Sequence, residues 1–131
     1  MIDHQDIRGP NRQLLPQPYL QMALNGANYF LAWRFVSSQD RSDKLRREFR
    51  LEAALPNSIR YKDIQPFAVS TYSDDIAGFL LDEQKVSKTV IVVHLTWSGK
   101  AEREGFPSVT VYEDFVAWLK ECVCEDLRMS D

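Results

Sequence analysis

Hydrophobic and polar positions divide the chain into a polar start, a β-rich middle and helix-period segments on either side of it. Residues 1–18 hold three of the six prolines and little apolar periodicity, so they read as an arm, with Ile7, Leu14 and Leu15 as its anchors to a core. Pro16 and Pro18 restrict the chain just ahead of the first regular element. Residues 19–24 place Tyr19, Leu20, Ala23 and Leu24 on one side of a short helical turn, which Asn25-Gly26 stops. Residues 29–36 alternate, with Tyr29, Leu31, Trp33 and Phe35 opposite Phe30, Ala32, Arg34 and Val36. Their aromatic and β-branched content favours a strand; a buried helix running on from Tyr19 is the alternative.

A polar loop over residues 37–42 follows, with Ser42 positioned to cap a helix over residues 43–55. Leu45 and Phe49, four apart, share a face of that helix, while Arg46, Arg47 and Arg50 lie largely off it. Pro56 ends it. The middle then reads as three strands joined by short polar turns: residues 64–72, 76–82 and 89–97. Pro66 marks an edge or a bulge, and Gly78 a bulge or a close backbone approach. The third strand is apolar at Val90, Ile91, Val92, Val93 and Leu95, which points to cover on both faces and a central place in the sheet. After a loop over residues 98–108, a last helix over residues 112–127 carries a stripe of Tyr112, Phe115, Val116, Leu119, Val123 and Leu127, with Trp118 and Cys122 extending it sideways. The expected fold is a single α+β domain over residues 1–131: an antiparallel β-meander with helices packed on one face.

Composition changes this picture little. The chain has 131 residues, enough to bury roughly two thirds of its unfolded surface without a disulfide or a metal. At net charge −3 there is no basic excess to neutralise phosphates, so nucleic acid is not expected as a partner. Cys122 and Cys124 stand two apart in the last helix, where side chains diverge by about 200°, so they read as buried or half-buried unpaired thiols of a reducing compartment. With only these two cysteines there is no zinc set. The polar start lacks a signal-peptide core, and no run approaches the ~20 apolar residues of a membrane span. The expected location is the cytoplasm, with no membrane contact.

Candidate chemistry is sparse. Asp74 and Asp75 share the tip between the first two middle strands, where adjacent acids offer cation binding or acid/base chemistry, although aspartate is also an ordinary turn residue. A metal-dependent nuclease would add an E-x-K such as Glu83-Gln84-Lys85, but this falls in a turn at the far end of the intervening strand. His94, in the third strand, reads first as a hydrogen-bonded structural residue, and His4 has no evident partner. The cluster Lys44, Arg46, Arg47 and Arg50 reads as a solvated helix face or as a surface for an acidic partner. Trp97 and Phe106 flank a glycine-bearing loop, which makes them candidate contact residues.

Four segments in order carry a resemblance. Ile64-Gln65-Pro66-Phe67-Ala68, then Asp74-Asp75-Ile76-Ala77-Gly78-Phe79, then the hydrophobic run ending in His94, then Phe115, Trp118 and Leu119 as F-x-x-W-L. Together they resemble a bacterial branch of the SUKH superfamily, which groups a fungal cell-wall-assembly regulator with small bacterial immunity proteins. The match spans about residues 55–119. It implies an α+β sheet with helices, no enzymatic activity, no cofactor and no metal, and a role in binding another protein, a toxin or a regulatory partner. An acidic chain suits a basic nuclease-type toxin, because opposite charge steers encounter. The expected partner-binding residues are Asp74, Asp75, Trp97, Phe106, Arg46, Arg47 and Arg50, with no catalytic residue. The alternatives are a small metal-dependent enzyme using Asp74, Asp75 and His94, and a structural protein that forms a homodimer through an exposed strand edge.

Overall fold

A computed structural model describes residues 7–24, 30–54, 60–94 and 108–129. The elements in chain order are α1 (Gln17–Leu24), β1 (Trp33–Phe35), α2 (Gln39–Ala53), β2 (Ile64–Ser70), β3 (Asp75–Asp82), β4 (Lys85–His94), β5 (Ser108–Tyr112) and α3 (Phe115–Met129). The strands form one sheet in the order β1-β2-β3-β4-β5, every neighbouring pair antiparallel. The fold is therefore the expected α+β type with a meander sheet. Among the described residues no helix is long and apolar enough to cross a membrane.

Pro66 explains how the sheet meets its helices. A proline inside β2 has no N–H for the ladder, and the register of β2 on β3 shifts between Pro66 and Ala68, the bulge that a mid-strand proline requires. β1 stops short of it, pairing Phe35 with Ala68. The bulged residue, Phe67, is fully buried and stacks on Phe79 at 4.6 Å. Its ring also meets Tyr19 of α1 at 5.3 Å and Trp118 of α3 at 5.0 Å. Tyr19 and Phe115 complete this cluster, in edge and tilted geometries that suit ring quadrupoles. One bulged strand residue thus joins α1 and α3 to the sheet.

α2 is tied on by polar groups. Gln65, 1% exposed, donates to the Ser42 hydroxyl at 2.7 Å, and that buried hydroxyl donates to the Pro66 carbonyl. Gln65 and Ser42 are thus buried with their polar groups partnered, which avoids the cost of leaving those bonds unmade. Leu45, Phe49 and Ala53 bury the apolar face of the same helix.

Several boundaries differ from the expectations. Ser38, not Ser42, caps α2, accepting from the Arg41 N–H at 3.2 Å; Ser42 lies one turn inside, where its tertiary partners use it better than a cap would. Leu24 is exposed at the end of α1, and Leu14 is exposed while Ile7 and Leu15 anchor the arm. β4 starts at Lys85, ahead of the expected residue 89, because Glu83 and Gln84 alone make the turn, at φ 49° and 65°. Two non-glycine residues in the left-handed region give no local signal for a two-residue hairpin. β5 fills the gap between the expected loop ending at residue 108 and the expected helix starting at residue 112, a strand not foreseen; α3 begins at Phe115, behind an Asp114 cap that accepts from the Ala117 N–H at 2.9 Å. The α3 stripe is also rotated. Phe115, Trp118 and Cys122 are buried, whereas Val116, Val123 and Leu127 are exposed, because two large rings bury more area than the valines and leucine of the competing stripe.

Gly78 sits opposite Pro66 across the bulged pair. A Cβ there would stand 2.9 Å from the Ile64 Cδ1 and 3.0 Å from the Gln65 carbonyl oxygen. Gly78→Ala is expected to destabilise the fold by about 1–3 kcal/mol, the usual cost of overpacking. Urea denaturation checks this: the midpoint should fall with the slope unchanged, and an unaltered midpoint would show that the strands can part at no cost.

Candidate functional site

The N-terminal arm is a braced loop. Arg8 and Leu14 form a β-bridge, and the chain reverses between them at Pro10–Arg12. Asn11 and Arg12 both adopt the left-handed region, at φ 58° and 61°. Asparagine tolerates this; a bulky arginine does so at a cost of roughly 1 kcal/mol, so the surroundings must hold the turn. Two glutamines do so. Gln13 donates to the Pro10 carbonyl at 2.8 Å and to the Gln84 carbonyl, and accepts from the Val86 N–H at 3.0 Å, fixing the arm to the β3–β4 turn. Gln39 of α2 accepts from the Arg8 N–H at 2.7 Å and donates to the Arg8 carbonyl at 2.9 Å. Gly9 packs so closely on Val86 that a Cβ would lie 2.4 Å from its Cγ2.

This bracing sets the arm across α2 and leaves an open cleft of about 740 Å³ between them. Arg8 and Arg12 line it from the arm, and Arg46, Arg47 and Arg50 from α2. Arg46 and Arg50 are four apart and share a helix face, with Arg47 about 100° round. Asp43 is the acidic residue of the lining, and its carboxylate accepts from Gln39 at 3.0 Å and from Gln65 at 3.3 Å. Arg46 forms a two-pronged pair with Asp63, Nε to Oδ1 at 2.8 Å and Nη2 to Oδ2 at 2.7 Å, and this hydrogen bonding holds its guanidinium charged against partial burial. Among the described residues no carboxylate forms an ion pair with Arg12, Arg47 or Arg50, all of them exposed. Among the described residues the lining carries five arginines and one carboxylate, and three of those arginines, Arg12, Arg47 and Arg50, form no ion pair, an arrangement suited to holding anionic groups.

The other expected site residues are placed elsewhere. Asp74 and Asp75 line a separate hollow of about 220 Å³ beside Arg41 and Lys44 of α2, so the acidic pair and the arginines do not form one surface. Asp75 opens β3, and its carboxylate accepts at 2.7 Å from the Nδ1 of His94, its register partner on β4; the Asp75 N–H donates to the Ser73 hydroxyl at 3.3 Å. The hydroxyls of Ser70 and Ser73 accept the local N–H bonds of this turn, while the Asp75 side chain reaches across to His94, which has the hydrogen-bonded place expected of it. Glu83 and Lys85 lie at the other end of the eight-residue β3, some 20 Å or more away at strand rise. The E-x-K and the aspartates therefore do not converge. Among the described residues no three His, Cys, Asp or Glu side chains are grouped to hold a metal. Trp97 and Phe106 lie outside the described residues. Arg8 and Arg12 were not among the expected site residues, although basic residues flanking a Gly-Pro-Asn turn signal could have marked them.

Two features at the C-terminal end complete the inventory. The cysteines are both free: Cys122 is buried, which pushes its thiol pKa up and keeps it protonated, and Cys124 is exposed, contrary to the expectation that both would be covered. Asp126 accepts from the Leu31 and Ala32 N–H groups at 3.0 and 3.1 Å, docking α3 on the approach to β1. Comparison with known protein families, with curated proteins and with solved structures gives no match to this chain.

Beside Asp126, the Tyr72 hydroxyl donates to Glu125 at 2.7 Å. That bond, helped by burial and by the negative charge of Glu125, pushes the phenol up to about 12. The unfolded phenol titrates near 10, so between about pH 10 and 12 the folded chain keeps a proton that the unfolded chain has lost, and this contribution to stability falls as pH rises through the window. In a difference titration of tyrosinate absorbance against Tyr72→Phe, the Tyr72 component is expected near the upper value. Glu125→Gln should return it toward the ordinary range; an unmoved component in that variant would remove Glu125 as the cause.

Proposed function

We propose that this chain is a cytoplasmic, non-enzymatic protein-binding domain of the SUKH type, acting in toxin neutralisation or in regulation of a partner. The observation that carries the reading is the cleft: exposed arginines on a braced frame, open to a large ligand. Arginine is enriched where proteins meet, because its planar fork pairs carboxylates with two bonds and sheds water readily. The order of elements is in keeping with the resemblance. The Pro66–Ala68 segment, the acidic turn, the strand ending at His94 and the F-x-x-W-L helix fall on β2, the β2–β3 turn, β4 and α3. Net charge alone favours a basic partner, whereas the cleft favours an acidic contact surface on it.

One observation favours a second reading, a small metal-dependent enzyme. Asp75 and His94 are joined at 2.7 Å with Asp74 adjacent in sequence, and a carboxylate hydrogen-bonded to one imidazole nitrogen is the arrangement that orients a histidine to ligate a metal through the other. On that reading excess Mg²⁺, Mn²⁺ or Zn²⁺ raises the melting temperature, by mass action on the folded state. No shift with any of the three would sink it.

The protein-binding reading is tested by co-expression with the products of adjacent genes and capture through a tag on this chain. The expected result is one stoichiometric partner that survives gel filtration at micromolar concentration, as a Kd of about 1 μM or tighter requires. A folded, stable bait that retains none of the neighbouring products would count against it.

A further inference from the structure

We infer that the arginine cleft takes an acidic polypeptide segment of the partner, an extended stretch carrying several Asp or Glu side chains. The inference rests on the protein-binding reading above and names the chemistry of the contact. The arginines that form no ion pair among the described residues come from two elements, Arg12 from the arm and Arg47 and Arg50 from α2, so their charges are spread along the cleft. A ligand that meets them together carries several negative groups at intervals. A single phosphate ion does not, and would fill only a small part of about 740 Å³.

The lining also argues against a nucleotide or a single-stranded nucleic acid. Among the described residues it holds no aromatic ring on which a base could stack. Apart from Gly9 and Pro10 it is polar or charged, unlike the mostly apolar pockets that take drug-sized ligands. Carboxylate recognition is already present in the cleft wall, where Arg46 holds Asp63 by two parallel bonds. Arg47 and Arg50 offer the same fork from the same helix to a carboxylate from outside. The resident carboxylate, Asp43, is held by Gln39 and Gln65. Because Gln13 and Gln39 fix the arm, the binding surface is formed before the ligand arrives, and little ordering cost is added.

The test uses the full chain and a fluorescent dodecapeptide of alternating glutamate and glycine, with pyrophosphate as competitor. The variants are Arg47→Glu with Arg50→Glu in the cleft, and Lys120→Glu, on the exposed face of α3, as control. The peptide is expected to bind the parent chain and the control alike, and to lose roughly tenfold in affinity for each reversed arginine, since an exposed ion pair is exchanged for a repulsion. Binding should weaken as salt rises from 0.1 M to 1 M and the screening length falls from about 10 Å to about 3 Å. Melting temperatures of the variants should be no lower than the parent's, because Arg47 and Arg50 are exposed, form no ion pair among the described residues and repel their basic neighbours. No measurable peptide binding, or equal binding by the arginine variant, overturns the inference. So does binding of pyrophosphate through Arg47 and Arg50 without binding of the peptide, which would make the cleft a small-anion site. The two readings fail separately: a partner captured equally well by the arginine variant leaves the protein-binding function standing and removes the cleft from it.

Discussion

A proline in the middle of a central strand forces the arrangement on which the rest depends. β2 lies between β1 and β3 and would normally use every N–H. Pro66 cannot donate, the ladder slips by one residue, and Phe67 becomes the extra residue of the bulge. A bulge bends and twists its strand, and here it aims a large ring at the helices. Burying a phenylalanine contributes about 1.5–3 kcal/mol, and its ring pairs add about 0.5–1.5 kcal/mol each. Against a total stability of roughly 5–15 kcal/mol, a residue packed on Tyr19, Phe79, Phe115 and Trp118 holds a large share of the fold.

The same bulge serves the candidate site. The Pro66 carbonyl is a partner of Ser42, and Gln65, its neighbour, reaches Ser42 and Asp43. These bonds fix the rotation of α2 about its own axis. Leu45 and Phe49 then point inward, and residues 46, 47 and 50 are carried to the side where the arm passes. The arm is held from its other side by the β3–β4 turn, through Gln13. The cleft is therefore a product of sheet geometry, although only Gln65 in its lining belongs to a strand.

The sequence was most legible where physical signals agreed. Leu45 and Phe49 at four-residue spacing and Pro66 with Gly78 as marks of a bulge reappear in the structure, and the strands expected over residues 64–72 and 89–97 appear as Ile64–Ser70 and Lys85–His94. It was least legible where tertiary contacts chose between local solutions. α3 has two apolar stripes, and the choice between them depends on where the rings of Tyr19 and Phe67 lie, which no local pattern carries. Ser38 and Ser42 both suit a cap, and a partner on β2 decided which of them became buried. The turn at Glu83-Gln84 lacks the Asn-Gly type of signal that left-handed turns usually show. At the site, Arg46, Arg47 and Arg50 were visible as a cluster. The contribution of Arg8 and Arg12 was not, because it depends on two glutamine side chains bonding to residues 31 and 73 positions away.

That dependence also bears on why a chain of net charge −3 can carry a basic cleft. Five arginines close together repel one another, and surface salt bridges offset little of this in water. The structure limits the repulsion by pairing Arg46 with Asp63 and by placing Asp43 within the lining, while Arg12, Arg47 and Arg50 are exposed to solvent. It adds a turn in which Arg12 sits in a backbone region that arginine seldom adopts. Neither the crowding nor the strained turn is needed for a sheet whose core is already filled by Phe67, Phe79 and Trp118. Strain and like charge held in place by specific bonds are features that a fold retains at the expense of its own stability. They make the cleft, ahead of the Asp74-Asp75 tip, the surface on which the proposed protein-binding role rests.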